Sequence, residues 1–209
     1  MSALEQHTVS ANGAMKLRSP WTMFLAWSLT ISTIISTKAW KRPGTPEVAR
    51  RAAALGMHVL ATRNSSREGP PFVEDVGLSD EYVQLAARAD VVVNSTPLTP
   101  RTVGMFDAKF FAVMKETALF INIGRGESVV TADLTAALAE GRIGGAGLDV
   151  TEPEPLPEGH PLWSMPNVIL TPHDASTSRG NTARADAIFL EELERWQRGE
   201  LPSRSVQER

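Results

Sequence analysis

From Glu47 onward the chain alternates short apolar runs with helix-like segments. That alternation restricts it to a parallel sheet covered by helices on both faces. EVARRAAALG carries Val48, Ala52 and Leu55 at helical spacing, and Gly56 stops it. Met57 to Thr62 reads as a short buried strand, and SDEYVQLAARA as a helix capped by Ser79. ADVVVNS, from Ala89, is the β-branched run that a strand buried on both faces uses. DAKFFAVM then reads as a short helix and TALFINI as a strand. TADLTAALAEGR reads as a helix that opens with Thr131 as cap and closes near Gly141. GGAGLDV and NVILTPH supply two more strands, the second ended by Pro172. The pattern thus predicts parallel strands near 57–62, 90–95, 118–123, 144–149 and 167–170. Ser178 to Arg198 is one amphipathic helix, with Ile188, Leu190, Leu193 and Trp196 among its apolar positions.

Two totals narrow the function. A net charge of −3 offers no electrostatic case for nucleic acid or an anionic membrane. The chain has no cysteine, which excludes disulfides, zinc–thiolate sites and thiol nucleophiles. That absence fits a reducing cytoplasm, the compartment expected here, and no metal site is expected.

The chemistry-bearing residues cluster between Ile121 and His173, in the words INIGRGE, GGAGLDVTEPEP, HPLW and NVILTPH. Arg125 follows a predicted strand, at the carboxyl edge where such sheets bind ligands. Its planar guanidinium suits a bidentate grip on a carboxylate. His173 ends a buried strand and suits proton transfer near neutral pH, with Glu154 to hold its imidazolium form. The other histidines have plainer places: His7 in the polar leader, His58 opening a strand and His160 in a loop before PLW.

These four words, in this order, closely resemble the D-isomer-specific 2-hydroxyacid dehydrogenases, which include glyoxylate, hydroxypyruvate and phosphoglycerate dehydrogenases. The resemblance runs from about Glu47 to Val206. It implies a Rossmann-like doubly wound sheet and an NAD(P)-dependent oxidoreductase. Hydride would pass between nicotinamide and a small 2-hydroxy or 2-oxo acid, and the protein would be a homodimer. Arg125, Glu154 and His173 are then the catalytic residues. Asp149 lies beside the nicotinamide, and Thr96 and Pro97 of NSTPLTPRT line the cofactor. Ile123, Gly124, Arg125, His173, Ala175 and Ser176 complete the cofactor contacts. Asp174 departs from the small or apolar residue usual after this histidine, and adds a charge beside the imidazole. After the strand ending near Thr62, an acid would bond the ribose 2′-hydroxyl of NAD, whereas an arginine accommodates the 2′-phosphate of NADP. Arg63, Asn64 and Ser65 stand there, which leans towards NADP.

The same resemblance exposes a departure. A Gly-x-Gly-x-x-Gly turn should precede the helix from Glu47, so that the backbone can approach a pyrophosphate. Here the chain reads KAWKRPGTPEVARR, with Gly44 alone and Thr45, Pro46 and Glu47 forming a generic helix start. The sheet is therefore expected to lack its first strand and glycine loop, and the chain to be shorter than a complete family member. A non-catalytic remnant that folds or dimerises without turnover is the alternative. Three divisions follow: an atypical segment over 1–45, a cofactor-binding domain over 46–176, and a helix and tail over 177–209.

Trp21 to Thr37 contains no charge, but seven of its residues are Ser or Thr. It is at the short limit for a membrane span, and KAWKRPG is no signal-cleavage site. A helix through WTMFLAWSL and a strand through LTISTIIST fit better. Leu29 to Thr37 is expected to fill the gap at the sheet centre, in parallel beside Met57 to Thr62. Lys38, Lys41 and Arg42 would then stand near the place of the glycine loop.

Overall fold

The computed structural model describes residues 30–34, 45–64, 66–177 and 180–203. They form two compact units that divide between Leu170 and Thr171.

The first unit holds β1 (Thr30–Ile34), α1 (Thr45–Ala54), β2 (His58–Arg63), β3 (Asp75–Leu78), α2 (Tyr82–Arg88) and β4 (Val91–Asn94). It continues with α3 (Ala108–Val113), β5 (Leu119–Asn122), a 3₁₀ turn (Gly126–Ser128), α4 (Thr131–Ala139), β6 (Gly145–Leu148), a second 3₁₀ turn (Pro161–Trp163) and β7 (Val168–Leu170). All seven strands pair in parallel in the order β3-β2-β1-β4-β5-β6-β7. The chain builds outward from β1 to β3 and then returns to the other side of β1 as β4. The carboxyl ends of β1 and β4 therefore flank a topological switch point, where open α/β sheets bind ligands.

The first-strand position is thus filled, because Thr30–Ile34 aligns Thr30 with His58 and Ile31 with Val91. The remaining residues of the proposed Leu29 to Thr37 strand, and the basic residues 38, 41 and 42, lie outside the described residues.

Strands buried on two faces show why the apolar runs are continuous. Val92 and Phe120 face one core with Phe106, Phe110, Phe111, Leu134 and Ile143. Their neighbours Val91, Val93 and Leu119 face another with Ala49, Ala52 and Val59. The alternation follows from the period of two in a strand. In the first core, Phe106 and Phe110 meet edge to face at 4.8 Å and Phe111 and Phe120 at 5.3 Å.

Two expected caps are corrected. Helix α2 is preceded by Glu81 rather than Ser79, with no side-chain cap. The Glu81 carboxylate instead accepts from the Leu78 amide at 2.6 Å and from Arg67 at 2.7 Å. Helix α4 is preceded by Val130, and the Thr131 hydroxyl donates to the Glu152 carbonyl at 2.5 Å. Strand β3 was not expected, since Asp and Gly are poor strand formers. It forms because the edge of β2 offers it a ladder, with Leu60 opposite Asp75.

Helix α3 has a true cap, because Asp107 accepts from the Phe110 amide at 2.9 Å. Asp107→Ala is expected to cost about 1 kcal/mol of stability, within the usual range for a lost cap. The urea midpoint should fall with an unchanged slope.

The second unit contains α5 (Asn181–Gln197), over most of the predicted tail helix. Glu192 accepts from the Ser203 amide at 2.9 Å and so holds the segment after the helix. Among the described residues no helix is long and apolar enough to cross a membrane.

Candidate functional site

Because every strand is parallel, the residues following β2, β4, β5 and β6 line one edge of the sheet. Most of the expected site residues of the first unit sit in those four connections.

Arg63 ends β2, and its Nη1 donates to the Glu68 carbonyl. Its Nε is buried without a hydrogen-bond partner. Asn64 is exposed, and Ser65 lies outside the described residues. Arg67 is committed to Glu81, and with the Leu78 amide it holds that carboxyl below the usual carboxylate range. Among the described residues Arg63 is therefore the cation at this strand end not engaged by a carboxylate.

After β4, Thr96 is 4% exposed, and its amide and hydroxyl both donate to Asn94 Oδ1, at 3.0 and 2.7 Å. The exposed Pro97 follows, its carbonyl accepting from the Thr102 hydroxyl at 2.8 Å. Ser95 Oγ is buried without a partner. The two unpartnered buried polar atoms found among the described residues thus belong to the end of β2 and the connection after β4, the strands flanking β1.

After β5, the Ile123 amide donates to the Asn94 carbonyl at 3.0 Å, and its side chain is exposed. Gly124 donates to Asn122 Oδ1 at 3.1 Å. Arg125 is exposed, with Nη1 donating to the Gly124 carbonyl at 2.7 Å. The flanking glycines have steric reasons. A Cβ on Gly124 would lie 2.9 Å from the Thr96 carbonyl oxygen, and one on Gly126 only 1.9 Å from that of Thr151. The arginine turn is therefore clasped between the loops that follow β4 and β6.

After β6, Asp149 is buried, and its amide donates to the Asn122 carbonyl at 3.0 Å. Glu154 is exposed on a loop pinned by Thr131 at the Glu152 carbonyl, and by the Thr151 hydroxyl donating to the Pro153 carbonyl at 3.0 Å. The close packing of Gly126 on Thr151 brings the Arg125 turn against the start of the Glu154 loop.

His173, Ala175 and Ser176 belong to the second unit, and all three are exposed. His173 has φ of 54°, in the left-handed region that few residues other than glycine adopt. Its amide donates to the Thr171 carbonyl at 3.0 Å.

Several residues of the site were not expected. Asn94, Ser95 and Asn122 sit at or next to strand ends, Ser128 closes the 3₁₀ turn after β5, and Asn94, Asn122 and Ser128 are almost wholly buried. The signal was present in VVVN and FIN, where an asparagine closes an apolar strand. Among the described residues no group of His, Asp and Glu could hold a metal ion.

A doubly wound sheet with an arginine turn and unpartnered polar atoms beside its switch point defines a dinucleotide-binding domain of the Rossmann type. Residues 45–175 match the family model described as the NAD binding domain of D-isomer specific 2-hydroxyacid dehydrogenases, and the chain belongs to that family. It is 46% identical over 121 residues to a human glyoxylate reductase/hydroxypyruvate reductase, covering 57% of this chain and 37% of that protein. It is 40% identical over 162 residues to a glyoxylate reductase of Korarchaeum cryptofilum, covering 76% and 48%. The chain thus spans half or less of the length of these two relatives. A 2-hydroxyacid dehydrogenase of Xanthobacter autotrophicus, solved with NADPH, superposes with a TM-score of 0.73 at 34% identity, covering 86% of this chain and 71% of that one. A relative from Lactobacillus delbrueckii in its NAD-complexed form gives 0.70 at 31%, covering 86% and 56%.

Proposed function

We propose that this chain is the cofactor-binding part of an NAD(P)-dependent D-2-hydroxyacid dehydrogenase, acting on a small 2-hydroxy or 2-oxo acid. The observation that carries the reading is the pair of unpartnered buried atoms, Arg63 Nε and Ser95 Oγ, beside the switch point of a sheet of this family. Polar atoms buried without partners are costly, and a bound ligand is one way to satisfy them. They fit the ribose end of a dinucleotide. Residues 35–44, where the family places its glycine turn, lie outside the described residues.

Arg63 and Asn64 would hold the adenosine ribose, with Arg63 favouring a 2′-phosphate. Thr96, Pro97, Ile123, Gly124 and Asp149 would line the nicotinamide half, with Ser65, Ala175 and Ser176 completing the contacts. The bound nicotinamide supplies or accepts the hydride. Arg125 would grip the substrate carboxylate and polarise the neighbouring carbonyl. His173 would give the proton to the carbonyl oxygen in reduction and remove it in oxidation, with Glu154 stabilising the imidazolium. A non-glycine residue in the left-handed region costs on the order of 1 kcal/mol, and such residues cluster at functional sites. His173 fits that pattern. By the same family resemblance the protein would be cytoplasmic and a homodimer, and light scattering on the purified protein checks the dimer.

NADPH titration, read by nicotinamide fluorescence, tests the reading. Micromolar binding is expected, and no binding at millimolar cofactor would overturn it. Arg63→Asp should weaken NADPH more than NADH, because the 2′-phosphate loses a cation and meets an acid. Equal effects would show that Arg63 does not reach the ribose. The missing glycine turn favours a second reading, a non-catalytic remnant. It predicts a folded chain with no cofactor affinity.

A further inference from the structure

We propose that Asn94 and Asn122 form a buried amide pair that positions Arg125 for its substrate and ties it to the cofactor-side loop. This inference rests on the carboxylate-gripping role proposed above for Arg125.

The sheet register places Asn94 of β4 opposite Asn122 of β5, each as the last residue of its strand. Both are fully buried, so their amides need internal partners. The partners also decide which way each amide faces. A backbone N–H can only donate, so the Thr96 amide at 3.0 Å makes Asn94 Oδ1 an acceptor. The Gly124 amide at 3.1 Å does the same for Asn122 Oδ1. Both Nδ2 groups are then donors. Asn94 Nδ2 donates to Asn122 Oδ1 and to Ser128 Oγ, each at 2.8 Å. Asn122 Nδ2 donates to the Arg125 carbonyl at 3.1 Å, and Ser128 Oγ donates to the same carbonyl at 2.6 Å.

The four bonds among Asn94, Asn122, Ser128 and the Arg125 carbonyl close a ring beneath the arginine turn. Two donors on one carbonyl fix the plane of the Arg125 peptide, and with it the direction in which the side chain leaves the backbone. Asn94 Oδ1 meanwhile holds Thr96 by its amide and hydroxyl. One buried amide pair therefore serves the loop expected to line the cofactor and the turn expected to hold the substrate. Asn94 and Asn122 are positioning residues, since both are fully buried and act through the loops they hold.

Asn122→Asp keeps the shape and the acceptor but replaces the donor to the Arg125 carbonyl with an oxygen that repels it. Ser128→Ala removes the second donor and disturbs packing less. Calorimetry on the full chain would measure NADPH binding first. It would then measure binding of oxamate, a 2-oxo acid isostere that is not reduced, to the NADPH complex, with thermal unfolding recorded in parallel. We expect oxamate affinity to fall about tenfold or more in Asn122→Asp and about threefold to tenfold in Ser128→Ala, the usual scale for one lost buried hydrogen bond. NADPH affinity should stay within about twofold, because Thr96 keeps both bonds to Asn94. If Asn122→Asp does not fold, Ser128→Ala decides alone. Oxamate affinity equal to the parent's, or NADPH affinity falling in step with it, overturns the positioning role and leaves the functional reading intact. A parent–NADPH complex that does not bind oxamate also overturns it, and a parent that binds no NADPH removes both.

Discussion

On the function proposed above, His173→Ala is expected to lower NADPH oxidation by a small 2-oxo acid about 10² to 10⁴-fold, the usual worth of a positioned acid–base group. Reduction of a 2-oxo acid leaves negative charge on the former carbonyl oxygen, and that oxygen must take a proton as hydride arrives. Arg125 can polarise the carbonyl, but a guanidinium stays protonated and is no proton donor near neutral pH. Among the described residues the other two histidines are placed for other work. His58 pairs with Glu74 at 2.7 Å on the surface, and His160 Nδ1 accepts from the Leu162 amide at the start of a 3₁₀ turn. Steady-state rates of purified parent and variant, assayed together with the remainder of the enzyme where the chain alone is inactive, check the prediction. An unchanged rate would remove His173 from the mechanism.

Gly126→Ala is expected to cost about 3 kcal/mol of stability, the upper part of the usual range for overpacking. The added methyl carbon would lie 1.9 Å from the Thr151 carbonyl oxygen, and backbone cannot swing aside as a flexible side chain can. For a chain of this size the melting temperature should fall on the order of 10 °C. Gly141→Ala is the control, because Gly141 has φ of 69° and nothing within 4 Å of its would-be Cβ. Only the cost of a left-handed backbone then applies, about 1–2 kcal/mol. Scanning calorimetry on both variants separates the two effects. A smaller loss at Gly126 than at Gly141 would show that the arginine turn is not clasped as described.

The amino-acid sequence by itself determined the elements whose causes are local. The run VVVN reads as a strand buried on both faces because every residue but the last is β-branched and apolar, and it is one. Helix α3 follows from an acid cap at Asp107 and two buried phenylalanines a turn further on. The family was legible because four short motifs in a fixed order carry far more information than any one of them.

The tertiary structure decided what depends on partners distant along the chain. Asp75–Leu78 has weak strand character and becomes β3 because the free edge of β2 satisfies its backbone. Thr30–Ile34 could be read several ways in isolation, and its place between β2 and β4 makes it an interior strand at the switch point. Thr131 looked like a cap, but Val130 precedes the helix and the hydroxyl reaches a carbonyl 21 residues away. Asn94 and Asn122 lie 28 residues apart, and only the sheet register sets their amides 2.8 Å from each other. Local propensity acts over a turn or two of chain, whereas a buried hydrogen bond is satisfied by whatever the fold brings beside it.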